Sequence, residues 1–308
     1  MQLSLGPPCH AGLVASTRII KSQLAWKSPE GRRYGSPNNL LSDKNVNSEC
    51  ERIVPVSSNT LIHFTSDKER LKSIFQDNFR LGFCKEAPTL GGFGTTCYVP
   101  MVSFCDIPLS QIKDHISKYG EYGIGLTREW GIRNKLNPVL YLEPNSLLSE
   151  SYRAAANYFL SRAQGERDIV ARSNEYFRAV VALGEMLSYT KNYQGELVRK
   201  DGSRIPNYRF SDEREWRYVL PSQGGVTPIM SEEHFASIEG RERAENLLAS
   251  TRLEFEPNDI RYVIIKSDDE IHEFVEHLRR AKRKKYSERD IDRLTTRLLT
   301  TEQIREDI

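Results

Sequence analysis

No apolar run in this 308-residue chain approaches the roughly 18 residues that a membrane-spanning helix needs. No secretory signal stands at its start either. Leu13-Val14-Ala15 is broken at once by polar residues, and no basic segment precedes an apolar one. The five cysteines (Cys9, Cys50, Cys84, Cys97 and Cys105) include no C-x-x-C pair and are odd in number. That argues against a disulfide framework and a zinc ribbon, and fits reduced thiols in a cytoplasm. The six histidines are scattered, so no metal site is expected. Walker A, Rossmann, nucleophile-elbow and H-E-x-x-H motifs are all absent. Gly91-Gly92-Phe93-Gly94 is glycine-rich, but no Gly-Lys-Ser/Thr follows it, so it reads as a flexible turn rather than a phosphate cradle. A net charge of +2 steers no partner by itself.

What is present describes a soluble mixed α/β protein. Hydrophobic residues make up 38% and charged residues 28%, with a mean hydropathy of −0.55, as expected for a globular core with polar ends. Residues 1–58 sustain neither a 2-residue nor a 3.6-residue period. They read as a disordered leader, or as sequence upstream of a true start near Val54 or Val56. Residues 59–278 carry the folded pattern. Residues 279–308 hold a basic run and a short C-terminal helix.

Within the core, Leu61-Ile62-His63-Phe64-Thr65 predicts a strand, followed by a helix capped at Ser66 or Asp67 with Leu71, Ile74 and Phe75 at i, i+3, i+4. Val99–Cys105, Tyr122–Leu126, Val139–Leu142, Tyr208–Leu220 and Arg261–Ile265 predict further strands. Ser110 opens a helix through Ile116. Ser149 to Tyr189 has helical texture, interrupted at Gly165, and 191–207 reads as a loop. A helix near Asp268 with Ile271, Phe274, Val275 and Leu278 closes the core. Ser287-Glu288-Arg289-Asp290 resembles a capping box before Ile291, Leu294 and Leu298. Short strands with one helical insertion predict an α+β fold with mixed small sheets, not a doubly wound parallel one.

The chemistry-bearing combination is His63 on the first strand and a carboxylate pair on a late one. Side chains two apart on a strand share a face, so Glu213, Glu215 and Arg217 are expected on one side and Phe210, Trp216 and Tyr218 on the other. Adjacent carboxylates repel, and Arg217 is the expected relief. Each candidate has a plainer reading. His63 could be a hydrogen-bonded structural residue, and Tyr119 and Tyr122 core aromatics. The carboxylate row could be ion-paired strand surface, Asp106 a turn residue, and His115 a surface or packing residue.

Val99-Pro100-Met101-Val102-Ser103-Phe104-Cys105-Asp106-Ile107-Pro108-Leu109-Ser110 resembles the AbiGi family of abortive-infection, phage-resistance proteins. So do Tyr119-Gly120-Glu121-Tyr122-Gly123-Ile124-Gly125-Leu126 and Asp212-Glu213-Arg214-Glu215-Trp216-Arg217-Tyr218. The resemblance runs from Leu61 to Leu278 and implies antiphage defence, with an antitoxin-like role and a cognate partner in a two-gene system. A more distant resemblance, carried by the His-Phe-Thr opening and the Glu-x-Glu strand, is to the ADP-ribosyltransferase superfamily. It implies NAD as donor, held by His63 and Thr65. Tyr119 or Tyr122 would stack on nicotinamide, Glu215 would be the catalytic carboxylate, and Glu213 would orient the acceptor. A binding protein without catalysis is the alternative. Arg279-Arg280-Ala281-Lys282-Arg283-Lys284-Lys285 could contact nucleic-acid phosphates, or be the solvated end of a helix.

Overall fold

The computed structural model describes residues 58–94, 96–163, 175–198, 202–223, 227–249, 251–282 and 286–307. The chain enters its sheet at β1 (Thr60–Thr65), where Leu61 and Ile62 are both buried, so the strand needs cover on two faces. Asp67 caps α1 (Lys68–Asp77) by accepting from the amides of Glu69 and Arg70, and Leu71, Ile74 and Phe75 form its buried face. β2 (Gly82–Glu86) and the long β3 (Cys97–Cys105) follow. A 3-10 turn at Leu109–Gln111 leads into α2 (Lys113–Tyr119). Gly120, at φ +120°, turns the chain where any Cβ would run into the backbone of Ser66. β4 (Tyr122–Thr127) then returns beside β1, and a Cβ on its Gly125 would stand 2.8 Å from the Thr60 side chain.

Thr127 caps α3 (Arg128–Arg133). The helical insertion follows: β5 (Leu140–Leu142), α4 (Leu147–Ala163) and α5 (Glu175–Ser188). β6 (Thr190–Asn192) pairs in parallel with β5, and β7 (Gln194–Val198) and β8 (Arg204–Arg209) form an antiparallel hairpin. β9 (Glu215–Val219) rejoins the main sheet against β3. After the helices Glu232–Ala236 and Ile238–Ala249 come β10 (Ile260–Ile265), α6 (Ile271–Lys282), α7 (Glu288–Thr295), β11 (Leu298–Thr300) and α8 (Thr301–Asp307).

The nine-stranded sheet runs β11-β10-β4-β1-β3-β9 and ends on Asn137–Pro138, with β2 and Met230–Ser231 also paired to β3. Its pairs are antiparallel except β10 with β11. The α+β class is therefore correct. One face carries the larger core of Leu61, Phe104, Ile124, Leu126, Trp130, Val263 and Phe274. The other carries Ile62, Ile112, Ile116, Ile264 and Ile304. No helix among the described residues is long and apolar enough to cross a membrane.

Three sequence expectations need correction. Residues 191–207 are not one loop, because β6 and the β7–β8 hairpin lie there. A two-stranded ribbon outside the main sheet buries little, so it shows no alternating apolar pattern. Tyr208–Leu220 is not a continuous strand. It breaks into a 3-10 turn at Phe210–Glu213 and a left-handed Arg214 (φ +45°), whose carbonyl accepts from the amide of Asp106. The core also does not end near Leu278. β11 pairs with β10, Ile291, Leu294 and Ile304 are buried, and Leu298 lies on a strand rather than a helix. Residues 1–57, the Gly165 boundary and residues 283–285 of the basic run lie outside the described residues.

Candidate functional site

Strand alternation decides which candidates can meet. Ile62 on β1 pairs with Cys105 on β3, and Cys105 pairs with Glu215 on β9, so these three side chains share one face of the sheet. His63 stands one residue from Ile62 and faces the other way. Its partner on β4 is Ile124, and Thr65 pairs with Tyr122. The six candidates thus divide into two groups. His63, Thr65 and Tyr122 lie on the face of the larger core; Tyr119, Glu213 and Glu215 gather on the opposite face. No strand geometry brings His63 and Glu215 into one cleft.

On the first face, His63 Nδ1–H donates to the carbonyl oxygen of Ser103 at 2.9 Å. Its ring packs edge-on against Phe79 and tilted against Phe104. Burial lowers its pKa, so the imidazole is held neutral. The Thr65 hydroxyl accepts from the amide of Asp67 at the entrance to α1. The Tyr122 phenol donates to Glu270 at 2.9 Å, and its ring stacks on Phe274.

The opposite face holds a buried ionic network. Arg217 is fully buried and grips Glu215 with two nitrogens, Nε to Oε1 at 2.7 Å and Nη2 to Oε2 at 3.1 Å. Its Nη1 donates to the carbonyl of Ser188 at the end of α5, and Nη2 also reaches Glu86 on β2 at 3.1 Å. The Ser103 hydroxyl donates to Glu215 Oε1 at 2.7 Å. Lys191, on β6, bridges Glu215 Oε2 at 3.1 Å and Glu213 Oε2 at 2.8 Å. The Tyr119 phenol donates to the other oxygen of Glu213, and the Glu215 amide donates to Tyr141 Oη at 2.9 Å.

These contacts set the protonation states. Burial alone would raise the Glu215 carboxyl, but Arg217 and Lys191 outweigh it and hold the group at about 2. Burial works against the Lys191 charge as well, yet Glu215, Glu213 and Glu86 raise its pKa above the ordinary value. Burial raises the pKa of Glu86, opposed by Arg217 and Lys191. Burial and then the Glu213 charge push the Tyr119 phenol up, so it remains a donor.

Sequence reasoning anticipated the Glu215–Arg217 pair but not its setting. Lys191 came from a stretch read as loop, and neither Glu86 nor Ser103 was a candidate. The one usable signal was alternation along β3, which puts Ser103 beside Cys105 on the carboxylate face. The predicted row is also corrected. Glu213 sits in the turn before β9, not on the strand, and Lys191 is what joins it to Glu215. Phe210 does not cover the core with Trp216 and Tyr218; it packs on Tyr208 and lies under the Lys191 ammonium. Asp106 is more than a turn residue. It accepts from the Ser58 amide at 2.9 Å and pairs with Arg128 at 2.7 Å. His115 is buried, and neither ring nitrogen has a hydrogen-bond partner among the described residues.

Every oxygen of Glu215 is engaged, and Glu213 is 4% exposed. As arranged, the cluster fixes the base of the β7–β8 hairpin to the sheet. It ties Lys191, before the hairpin, to Glu213 and Glu215, after it. The three free cysteines among the described residues do not add a nucleophile, since burial pushes Cys84 and Cys97 up to about 11 and Cys105 higher.

Comparison with known proteins accords with the sequence motifs. The model of the AbiGi family, described as an abortive phage resistance protein and antitoxin, matches residues 93–266. That span includes Ser103, Tyr119, Lys191, Glu213, Glu215 and Arg217, and excludes His63. The chain is 28% identical over 230 residues to the abortive phage resistance protein AbiGi of Lactococcus lactis subsp. cremoris, covering 68% of this chain and 89% of that protein. No solved structure matches. The chain belongs to the AbiGi family of abortive phage resistance proteins.

Proposed function

We propose that this chain acts as the neutralising half of an abortive-infection pair, binding a cognate protein without catalysing ADP-ribose transfer. The observation that carries this reading is the saturation of Glu215. A carboxylate that stabilises a developing oxocarbenium needs a lone pair aimed at the reacting carbon. Here Ser103, Arg217 and Lys191 occupy both oxygens. The transfer reading also asks His63 to share a cleft with Glu215, and the two face opposite sides of the sheet. The antitoxin description of the family supports the same conclusion.

The discriminating variant must spare the fold. Glu215→Gln alone leaves Arg217 short of a buried counter-charge, which commonly costs about 3–5 kcal/mol, so lost protection would be ambiguous. Glu215→Gln combined with Arg217→Gln removes one charge of each sign and keeps hydrogen-bonding groups in place, while Lys191 retains Glu213. Glu86, whose pKa burial already raises, takes up a proton in place of its lost cation. We expect this double variant, checked by its melt, to retain phage protection with NAD levels in infected cells unchanged. Protection lost by a well-folded double variant, together with NAD consumption by the wild type, would instead support a catalytic Glu215.

A further inference from the structure

α4 is apolar on two sides. Ser149, Tyr152 and Ala156 turn inward, where Tyr152 and Ala156 pack with Leu90, Leu142 and Leu183. Leu147, Ser151, Ala154 and Tyr158 turn the other way, and all four are exposed. Their spacing of four, three and four residues draws a stripe roughly 17 Å long down the helix, at 1.5 Å per residue. Leu147 is 82% exposed and Tyr158 56%, and Leu148, beside Leu147, is 57% exposed. A helix that served only the core would carry charged or polar residues on its outward side. The glycine run 91–94 adds to this surface. Gly91 has a φ of +53°, and a Cβ there would stand 2.7 Å from Arg153 Nε and 3.2 Å from Glu150 Cα, so the turn lies directly on α4. The Gly91 amide donates to the Ser149 hydroxyl at 2.9 Å. Phe93, 64% exposed, is thereby held beside the helix, with the Arg153 guanidinium over its ring at 4.8 Å. Glu143, just before α4, and Glu150, in its first turn, are exposed and form no ion pair among the described residues.

We propose that the outward stripe of α4, from Leu147 to Tyr158 with Phe93 beside it, is where a basic helix of the cognate protein docks. This rests on the neutralising reading and gives that reading a surface. The small Ser151 and Ala154 at the middle of the stripe let a second helix approach closely, while Leu147 and Tyr158 offer large apolar contacts at its ends. Charge selects the occupant. Glu143 and Glu150 flank the stripe without counter-charges, and the cation among the described side chains of α4, Arg153, is engaged with Phe93. Lysines or arginines beside the partner's apolar face would complement those carboxylates, whereas a second copy of this chain would bring its own uncompensated pair. The stripe lies within the family-matched span, residues 93–266.

The test is calorimetric titration of the full chain with the purified product of the adjacent gene, comparing wild type with three variants. Leu147→Gln combined with Ala154→Arg should weaken binding by about tenfold or more, because it removes an apolar contact and blocks close approach at the middle of the stripe. Its melt should be unchanged, since both positions are exposed. Glu150→Lys should weaken binding most at low salt, as expected for a flanking charge. Ile238→Gln, at an apolar residue 74% exposed on a different helix, should bind as wild type does. Equal binding by wild type and the Leu147→Gln, Ala154→Arg variant would overturn this surface and leave the neutralising reading standing. No complex with wild type would remove that reading and the surface together. Self-association of wild type in sedimentation, abolished by the same double variant, would assign the stripe to a second copy and overturn the proposal.

Discussion

Arg217 has three partners, the buried Glu215, the partly buried Glu86 and the Ser188 carbonyl, and removing Arg217 alone leaves both carboxylates short of a counter-charge. Arg217→Met alone should therefore destabilise the fold by about 3–5 kcal/mol, read from the midpoint of urea unfolding. A loss under about 1 kcal/mol would mean the network is solvated. The pH dependence has a defined sign. Glu215 is held at about 2 against an ordinary 4.5, so its stabilisation is complete above the ordinary value and is lost as pH falls through that window. His63 and His115 are both held below their ordinary value by burial, so protonation of the unfolded chain weakens the fold as pH drops below about 6.5. His115 lies between Phe64 and Tyr119 with both ring nitrogens unpartnered among the described residues. His115→Phe should raise stability by about 1–2 kcal/mol and reduce the loss between pH 7 and 5.5. A destabilised variant would show that the ring has a polar partner in solution.

At the level of elements, β1, α1, β3, β4 and β10 were readable because each buries a regular apolar pattern beside clear punctuation. Asp67 and Gly120 are examples. The β6–β8 region was not readable. Its strands are polar, and the residue that matters most there, Lys191, looks like any loop lysine until Glu213 and Glu215 converge on it. The break at Arg214 was hidden for a related reason: a left-handed arginine gives no sequence signal comparable to glycine. Nor did the C-terminal end declare itself. β11 is three residues long, and its value lies in pairing with β10 while α8 inserts Ile304 beneath the sheet. Truncation after residue 297 should therefore lower the melting temperature by many degrees. An unchanged melt would show that β11 and α8 are accessory to the core.

For the whole molecule, face assignment along the sheet governs function. A single sequence places His63 early and Glu215 late, and an ADP-ribosyltransferase-like order follows from that alone. Whether they meet depends on pairing register, which the sequence does not display. Ile62 opposite Cys105 and Cys105 opposite Glu215 send the two side chains to opposite sides, with Ser103 touching both: its carbonyl accepts from His63 and its hydroxyl donates to Glu215. The family was legible from its three motifs. The rigid ionic junction at the foot of the hairpin was not. Calorimetric titration of this protein with the product of the adjacent gene, alongside an NAD assay on the same mixture, tests the neutralising role most directly. Saturable binding at fixed stoichiometry with no NAD consumed is expected; NAD turnover by this chain with no detectable complex would overturn the neutralising role.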